Sequence, residues 1–445
     1  MTSRIAGTGV DDAAVGRVSP CPEARRGIWV VLNTALVSGF LATLVVWPRG
    51  YALFPLAAAL VAVAAGVASP GRWRVSLDGE DLLWLVALVA FSGSWLADVW
   101  RSDAWPRSLS GEGRLLPLWP LLAAALLIWL RAQPPRLRGW LSGLALGASG
   151  ALAVALHERV WLGLPRIYEI MNAIPFGNLA LLLGMLALVS LLGRRDDGQP
   201  WRRGSTLLLA LASLAGLAAS LLSGTRGGWL MLPLLVLLIV IHYRPLPAGR
   251  GVCRTLLLLG IPVVVGASLP QTGVVERLQL AVNDLQGYFA TGDANSSLGL
   301  RLGMWRGGLA LFAQHPGWGW GEAGLEPALR GWIAATGRYP EIAAYGQLHS
   351  DIVDTAARRG LVGLIGLGLV YGVPLVLFGR HLRRAVRPRE RLLALSGLVV
   401  ILAFVIFGLS QSMLRDARGL SGFLTLAVVC WALLKADMPR RRPPM

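Results

Sequence analysis

Residues 205–242 read STLLLALASLAGLAASLLSGTRGGWLMLPLLVLLIVIH. Two apolar runs flank a single polar break, Ser223-Gly224-Thr225-Arg226-Gly227-Gly228. An α-helix needs about 20 residues to cross a hydrocarbon core about 30 Å thick. In lipid, a helix satisfies its backbone groups within its own segment. The stretch therefore predicts two spanning helices, over 205–222 and 228–242, joined by a glycine turn at the membrane surface.

The same pattern recurs outward from this pair. Helices are expected over 28–47, 51–69, 82–99, 115–130, 138–157, 173–193, 255–269, 359–378, 392–410 and 420–436. The fold class is an all-α integral membrane protein of about twelve transmembrane helices. The organisation is a polar tail (1–27), nine helices (28–270), a long loop (271–358), three helices (359–436) and a short tail (437–445). The tail before the first helix has no apolar core of the kind a cleaved signal peptide carries.

Composition agrees. Of 445 residues, 55% are hydrophobic and 15% charged, against about 25% charged in soluble proteins. The net charge is +18, and Lys435 is the sole lysine among 42 basic residues. These cations fall in short inter-helix loops, which fits membrane insertion and anionic lipid and gives no basis for nucleic-acid binding. With both termini cytoplasmic, the cytoplasmic side holds 26 Lys and Arg, against nine in the short outer loops. The other seven lie in or at the end of the 271–358 loop, and long loops weigh little in orientation.

That loop has helical pieces. Leu298, Leu302, Trp305, Leu309 and Phe312 recur at steps of three and four, marking an amphipathic helix over Ser297–Gln314 with Ser296 or Ser297 as its cap. It is expected to lie on the membrane surface or to roof the bundle. The turn His315-Pro316-Gly317-Trp318-Gly319-Trp320-Gly321 ends it, and a second helix follows over about Glu322–Ala335.

Few residues are suited to chemistry. Arg226, between glycines with free amides, fits either a snorkelling anchor or a phosphate contact. Arg301 flanks the apolar stripe and reads equally as a headgroup contact. His349 opens His349-Ser350-Asp351 ahead of a helix, where the helix dipole favours a neutral ring that accepts a proton; capping is the other reading. Arg159 and Arg166 lie in the outer loop after the fifth helix. His315 reads as structural, and His242 and His381 fall on the cytoplasmic side. Asp98 and Asp103, beside Arg101 and Arg107, read as surface charge. Cys21, Cys253 and Cys430 suggest no disulfide or metal pair, and no Walker loop, Rossmann glycine pattern or Cys/His cluster occurs.

At these residues the chain resembles the O-antigen ligase family. His349-Ser350, nine residues, then Gly360, Gly363 and Gly366 at steps of three, match its H-[NSQ]-x9-G-x-x-G pattern. An arginine after a Ser/Thr-Gly turn (Arg226), and an arginine-bearing helix followed by Pro-Gly-x-Gly (Arg301 through Gly321), are similar too. The likeness spans roughly residues 160–420. It implies a fold like that of GT-C glycosyltransferases, with the 271–358 loop in the periplasm of a bacterial inner membrane. It implies an undecaprenyl-diphosphate-linked O-antigen donor and a lipid A-core acceptor. On this reading Arg226 and Arg301, with Arg166 or Arg159, hold the diphosphate and His349 is the base, with no metal or other cofactor. Polymerases and protein O-oligosaccharyltransferases share these motifs. Ile174-Pro175-Phe176-Gly177-Asn178 looks like the ligases, and the Gln-x-Asn-His pattern of the protein-modifying branch is missing. A two-times-six transporter would also place both ends inside, but no half-to-half repeat is evident.

Overall fold

The computed structural model describes residues 22–68, 77–108, 111–195, 203–243, 260, 268, 274–291, 296–337 and 339–438. Among these, the long elements are all helices: α1 (Pro22–Thr43), α2 (Gly50–Ala68), α3 (Gly79–Ser102), α4 (Trp119–Ala132), α5 (Leu137–Leu156), α6 (Ala173–Arg195), α7 (Arg203–Ser223) and α8 (Met231–Tyr243). They continue with α9 (Val274–Thr291), α10 (Ser297–Gln314), α11 (Gly321–Thr336), α12 (Asp351–Arg384), α13 (Pro388–Ser410) and α14 (Ala417–Asp437). Eight are long and apolar enough to cross a membrane, and α1, α4 and α8 contribute three shorter apolar helices. The helix expected over 255–269 lies, apart from residues 260 and 268, outside the described residues.

Helix α6 is buried along its whole apolar span, and α13 and α14 over most of theirs. These three form the centre of the bundle. Helices α2, α3, α5 and α12 turn Leu60, Val86, Leu146 and Ile365 outward, as lipid-facing helices do. Between α6 and α7 the backbones nearly touch at Gly184 and Gly216. A Cβ on Gly216 would lie 2.6 Å from the Gly184 Cα, and small residues are what allow such packing in lipid.

At the end where α14 finishes, Asp81 gathers the bundle. Its carboxylate accepts from Arg131 Nε (2.9 and 3.0 Å), from Trp431 Nε1 (2.7 Å) and from the Asp78 backbone N–H (3.0 Å). Lys435 meets Asp78 and Glu80 there, and His381 meets Glu80. Helices α3, α4, α12 and α14 are thereby tied at one level.

The opposite end carries a second, smaller core: Met304, Leu311, Leu325, Leu329, Ile342, Leu348 and Val353, with Tyr339. Helix α10 has the expected bounds, and Ser296 Oγ caps it by accepting from the Gly299 N–H (3.0 Å). The face it packs on the protein is a glycine face rather than the apolar stripe. Gly299, Gly303, Gly307, Gly308, Met304 and Leu311 are buried, whereas Leu309 of the stripe is 53% exposed. The glycines win because they admit large partners: Tyr339 over Gly303, Trp332 over Gly307, and Leu348 and Val353 over Gly308.

Helix α12 also departs from expectation. It starts at Asp351, eight residues before the expected 359, and breaks at Gly360, whose φ of 60° and ψ of −150° suit glycine. The break is an exchange of backbone partners. The Leu361 N–H, which in a helix would bond Ala357, donates to the Pro316 carbonyl (2.7 Å), and Val362 donates to Gly317 (3.2 Å). The Trp320 N–H takes the vacated Ala357 carbonyl (2.9 Å). A Cβ on Gly360 would run into the Gly317 and Pro316 carbonyls, and one on Gly319 into Arg358. Arg101, at the end of α3, holds the same turn by donating to the Trp318 (2.9 Å) and Gly319 (3.1 Å) carbonyls.

Candidate active site

The turn bearing Arg226 is fixed by its own hydroxyls. Ser223 and Thr225 share a hydrogen bond of 2.8 Å, and the Thr225 N–H donates to Ser223 Oγ (3.3 Å). It sits in a cradle of two helix ends. Gly177 of α6 lies against Ser223 and Thr225, Gly228 lies against Asn178, and Gly227 lies against Ser410 at the end of α13. Gly177 and Asn178 therefore back the turn that carries Arg226.

Arg166 projects from the loop between α5 and α6. That loop opens with a π turn, His157–Trp161. Buried Glu158 closes it by accepting the N–H groups of Tyr168 (2.7 Å) and Glu169 (3.3 Å). Arg159 donates to the Leu164 carbonyl in the same loop.

Arg301 stands one turn into α10, its Nη1 3.4 Å from Ser297 Oγ. Burial lowers its pKa first, and the nearby guanidiniums of Arg226 and Arg166 lower it further. Arg226 and Arg166, from two other chain segments, thus lie near enough to Arg301 for their charge to act on it. Like charges held together while partly desolvated are costly unless an anion joins them.

His349 adjoins this group. Its φ is 49°, in the left-handed region, and Asp354 Oδ1 fixes the preceding residue through the Leu348 N–H (3.0 Å). The ring Nδ1 lies 2.6 Å from Gln411 Oε1, and Nε2 lies 3.4 Å from Gln347 Nε2. Tyr345 packs edge-on at 5.7 Å. Burial holds the ring below its ordinary pKa. The Gln411 hydrogen bond and Asp354 oppose that shift, and Arg301 reinforces it. The balance favours the neutral form of the imidazole.

Behind the site lies an ion network that the sequence did not suggest. Glu322, in the first turn of α11, accepts from Arg415 (2.6 and 3.1 Å), Arg358 (3.2 Å) and Arg359 (2.9 Å). Asp354 pairs with Arg358 (3.1 Å) and Arg415 (3.3 Å). Asp98 pairs with Arg101 (3.1 Å) and Arg359 (3.6 Å), and Arg359 covers the Trp95 ring at 3.4 Å. Burial would raise the Glu322 pKa, but Arg415, Arg358 and Arg359 outweigh it and hold the carboxyl well below its usual range. Asp98, read from sequence as surface charge, is buried: its partner Arg359 lies far along the chain. Asp103 is exposed.

The structure thus brings His349, Arg301, Arg226 and Arg166 together, and places Arg159 in the loop that carries Arg166. Gln411 and the network were missed. The available signals were an amide closing an apolar helix and the i,i+4 spacing of Asp354 and Arg358. Among the described residues no group of three or more His, Cys, Asp or Glu side chains is placed to hold a metal ion.

The chain is similar to an uncharacterized protein of Haemophilus influenzae, 24% identical over 396 residues that cover 89% of this chain and 96% of the relative. A family model described as O-antigen ligase matches residues 211–368, the span that holds Arg226, Arg301 and His349. Over residues 211–368, therefore, the chain matches the O-antigen ligase family.

Proposed function

We propose that this protein transfers O-antigen from undecaprenyl diphosphate to a hydroxyl of the lipid A-core, at the periplasmic face of the inner membrane. The observation that carries the reading is that His349, held at Nδ1 by Gln411 (2.6 Å), stands beside Arg301, on which the charges of Arg226 and Arg166 act. The acceptor oxygen attacks the anomeric carbon as the bond from that carbon to the diphosphate oxygen breaks. The electron pair leaves with the diphosphate, and His349 Nε2 takes the acceptor's proton. Negative charge grows on the leaving group, where Arg226, Arg301 and Arg166 offset it. A single displacement inverts the anomeric centre. Arg166 is assigned to the donor, because its charge acts on Arg301. The apolar runs support about twelve spans, and the arginine asymmetry between loops supports both termini cytoplasmic and the 271–358 segment outside.

The test is a lipopolysaccharide gel from cells lacking this gene, complemented with wild type or His349→Ala. Loss of the ladder while lipid-linked polymer accumulates is expected in both the deletion and the His349→Ala strain. A shortened but attached glycan would instead mark a polymerase.

A further inference from the structure

We infer that Gln411 is a positioning residue: it holds His349 in the tautomer protonated at Nδ1, leaving the Nε2 lone pair to take the acceptor's proton. The inference rests on the reading of His349 as the base.

An amide oxygen accepts and does not donate. With Gln411 Oε1 2.6 Å from Nδ1, that nitrogen must carry the proton. The lone pair then lies on Nε2, toward Gln347, whose Nε2 is 3.4 Å away. This is at the limit of hydrogen-bonding reach, so an arriving hydroxyl displaces it at little cost.

Gln411 is itself held. It is 1% exposed and follows directly on α13, its N–H bonded to the Phe407 carbonyl (3.1 Å) and its carbonyl to the Met413 N–H (2.8 Å). Ser410 before it lies against Gly227, next to Arg226. The base and the cation turn therefore share one support.

The two carboxylates nearest to His349 in the chain are engaged elsewhere. Asp351 accepts from the Leu414 N–H (2.9 Å) and the Tyr371 hydroxyl (3.2 Å). Asp354 is taken by Leu348, Arg358 and Arg415. The charged and titratable groups acting on the ring are Arg301 from α10, Asp354 from α12 and Tyr345 from the preceding turn. A neutral amide orients the ring without fixing a proton on Nε2, whereas a carboxylate there would stabilise the imidazolium.

The test uses the full chain in nanodiscs with a lipid-linked donor, reading single-turnover rate against pH and donor affinity. Gln411→Leu is expected to bind donor normally and lose turnover, by up to about 10⁴-fold, the loss seen when a triad base loses the carboxylate that sets its tautomer. Gln411→Glu is expected to keep turnover at alkaline pH, with the acid limb moved up by about one pH unit or more, as a carboxylate beside an imidazolium requires. Nitrogen-15 NMR of labelled histidine, with His349 assigned by its loss in His349→Asn, should show Nδ1 protonated in wild type and a mixture in Gln411→Leu. Wild-type turnover in Gln411→Leu beside an inactive His349→Asn overturns the role of Gln411 alone. An unmoved acid limb in Gln411→Glu, or an unchanged tautomer in Gln411→Leu, does the same. Full turnover in His349→Asn overturns the base assignment and this proposal with it.

Discussion

Glu322→Gln should loosen the end of the molecule that carries His349. Each Glu322 oxygen accepts two charge-assisted hydrogen bonds: Oε1 from Arg415 and Arg359, Oε2 from Arg415 and Arg358. Turning either oxygen into an amide forfeits two of them and points donors at donors. At about 1.5–3 kcal/mol per charged bond, the loss is about 3–6 kcal/mol. That matches the cost, about 3–5 kcal/mol, of leaving a buried ion unpaired. The assay is hydrogen exchange on protein in nanodiscs, followed over α11 and the first turns of α12. A drop of at least about 10²-fold in protection is expected there, with α6 unchanged. A depressed folded pKa confers stability that is complete above the ordinary value of 4.5 and is lost only as pH falls through the folded value. Protection in wild type should therefore hold steady from about pH 5 upward as far as Glu322 is concerned. Removing both partners, Glu322→Leu with Arg415→Leu, should cost less than the sum of the single changes. Unchanged protection in Glu322→Gln would refute this account of the network.

Three further outcomes are expected. Gly360→Ala puts a Cβ against the carbonyls of Pro316 and Gly317 in a backbone geometry suited to glycine; a loss of about 1–3 kcal/mol or more, read as early melting in detergent, is expected, and wild-type melting would contradict it. Because burial holds His349 below its ordinary value, kcat/KM should rise with pH through a limb below 6.5 and be flat above it; a limb above 7 would remove His349 as the titrating base. Arg226→Ala should weaken donor binding and turnover together, and Arg226→Lys should restore only part, since a point charge does not reproduce the forked donors; full rescue by lysine would show that charge alone is needed.

The helices and the Arg226 turn were legible because their signals are local. An apolar run needs no knowledge of its neighbours, and Ser223 and Thr225 brace the Arg226 turn from within. The Ser296 cap of α10 is equally local. What the sequence hid was long-range. Asp98 and Arg359 resemble wetted charges until α3 and α12 meet, and Glu322 resembles an ordinary first-turn acid until three arginines close on it. The glycine face of α10 went unread because hydropathy ranks leucine over glycine, whereas packing at this surface favoured the residue that leaves room. Gln411 was invisible for the same reason as Asp98: its importance lies in a histidine 62 positions away.

The exchange of partners at Gly360 determines what kind of damage the turn at 316–320 can cause. Leu361 and Ala357 would be each other's partners in a continuous helix, and the turn supplies one substitute for each. Every helix group that the turn satisfies would regain a partner within the helix, Leu361 with Ala357 and Val362 with Arg358, so the segment has no reason to melt. It would heal instead, into one rod of 34 residues. Residues 351–359 would then swing about the axis, since a helix turns by roughly 100° per residue and the break resets that count. Arg358 and Arg359 would come round to the wrong bearing for Glu322, and Ser350 and His349 would follow them. Such a lesion is one of phase: helix content stays the same to circular dichroism, while every side chain above the joint points elsewhere.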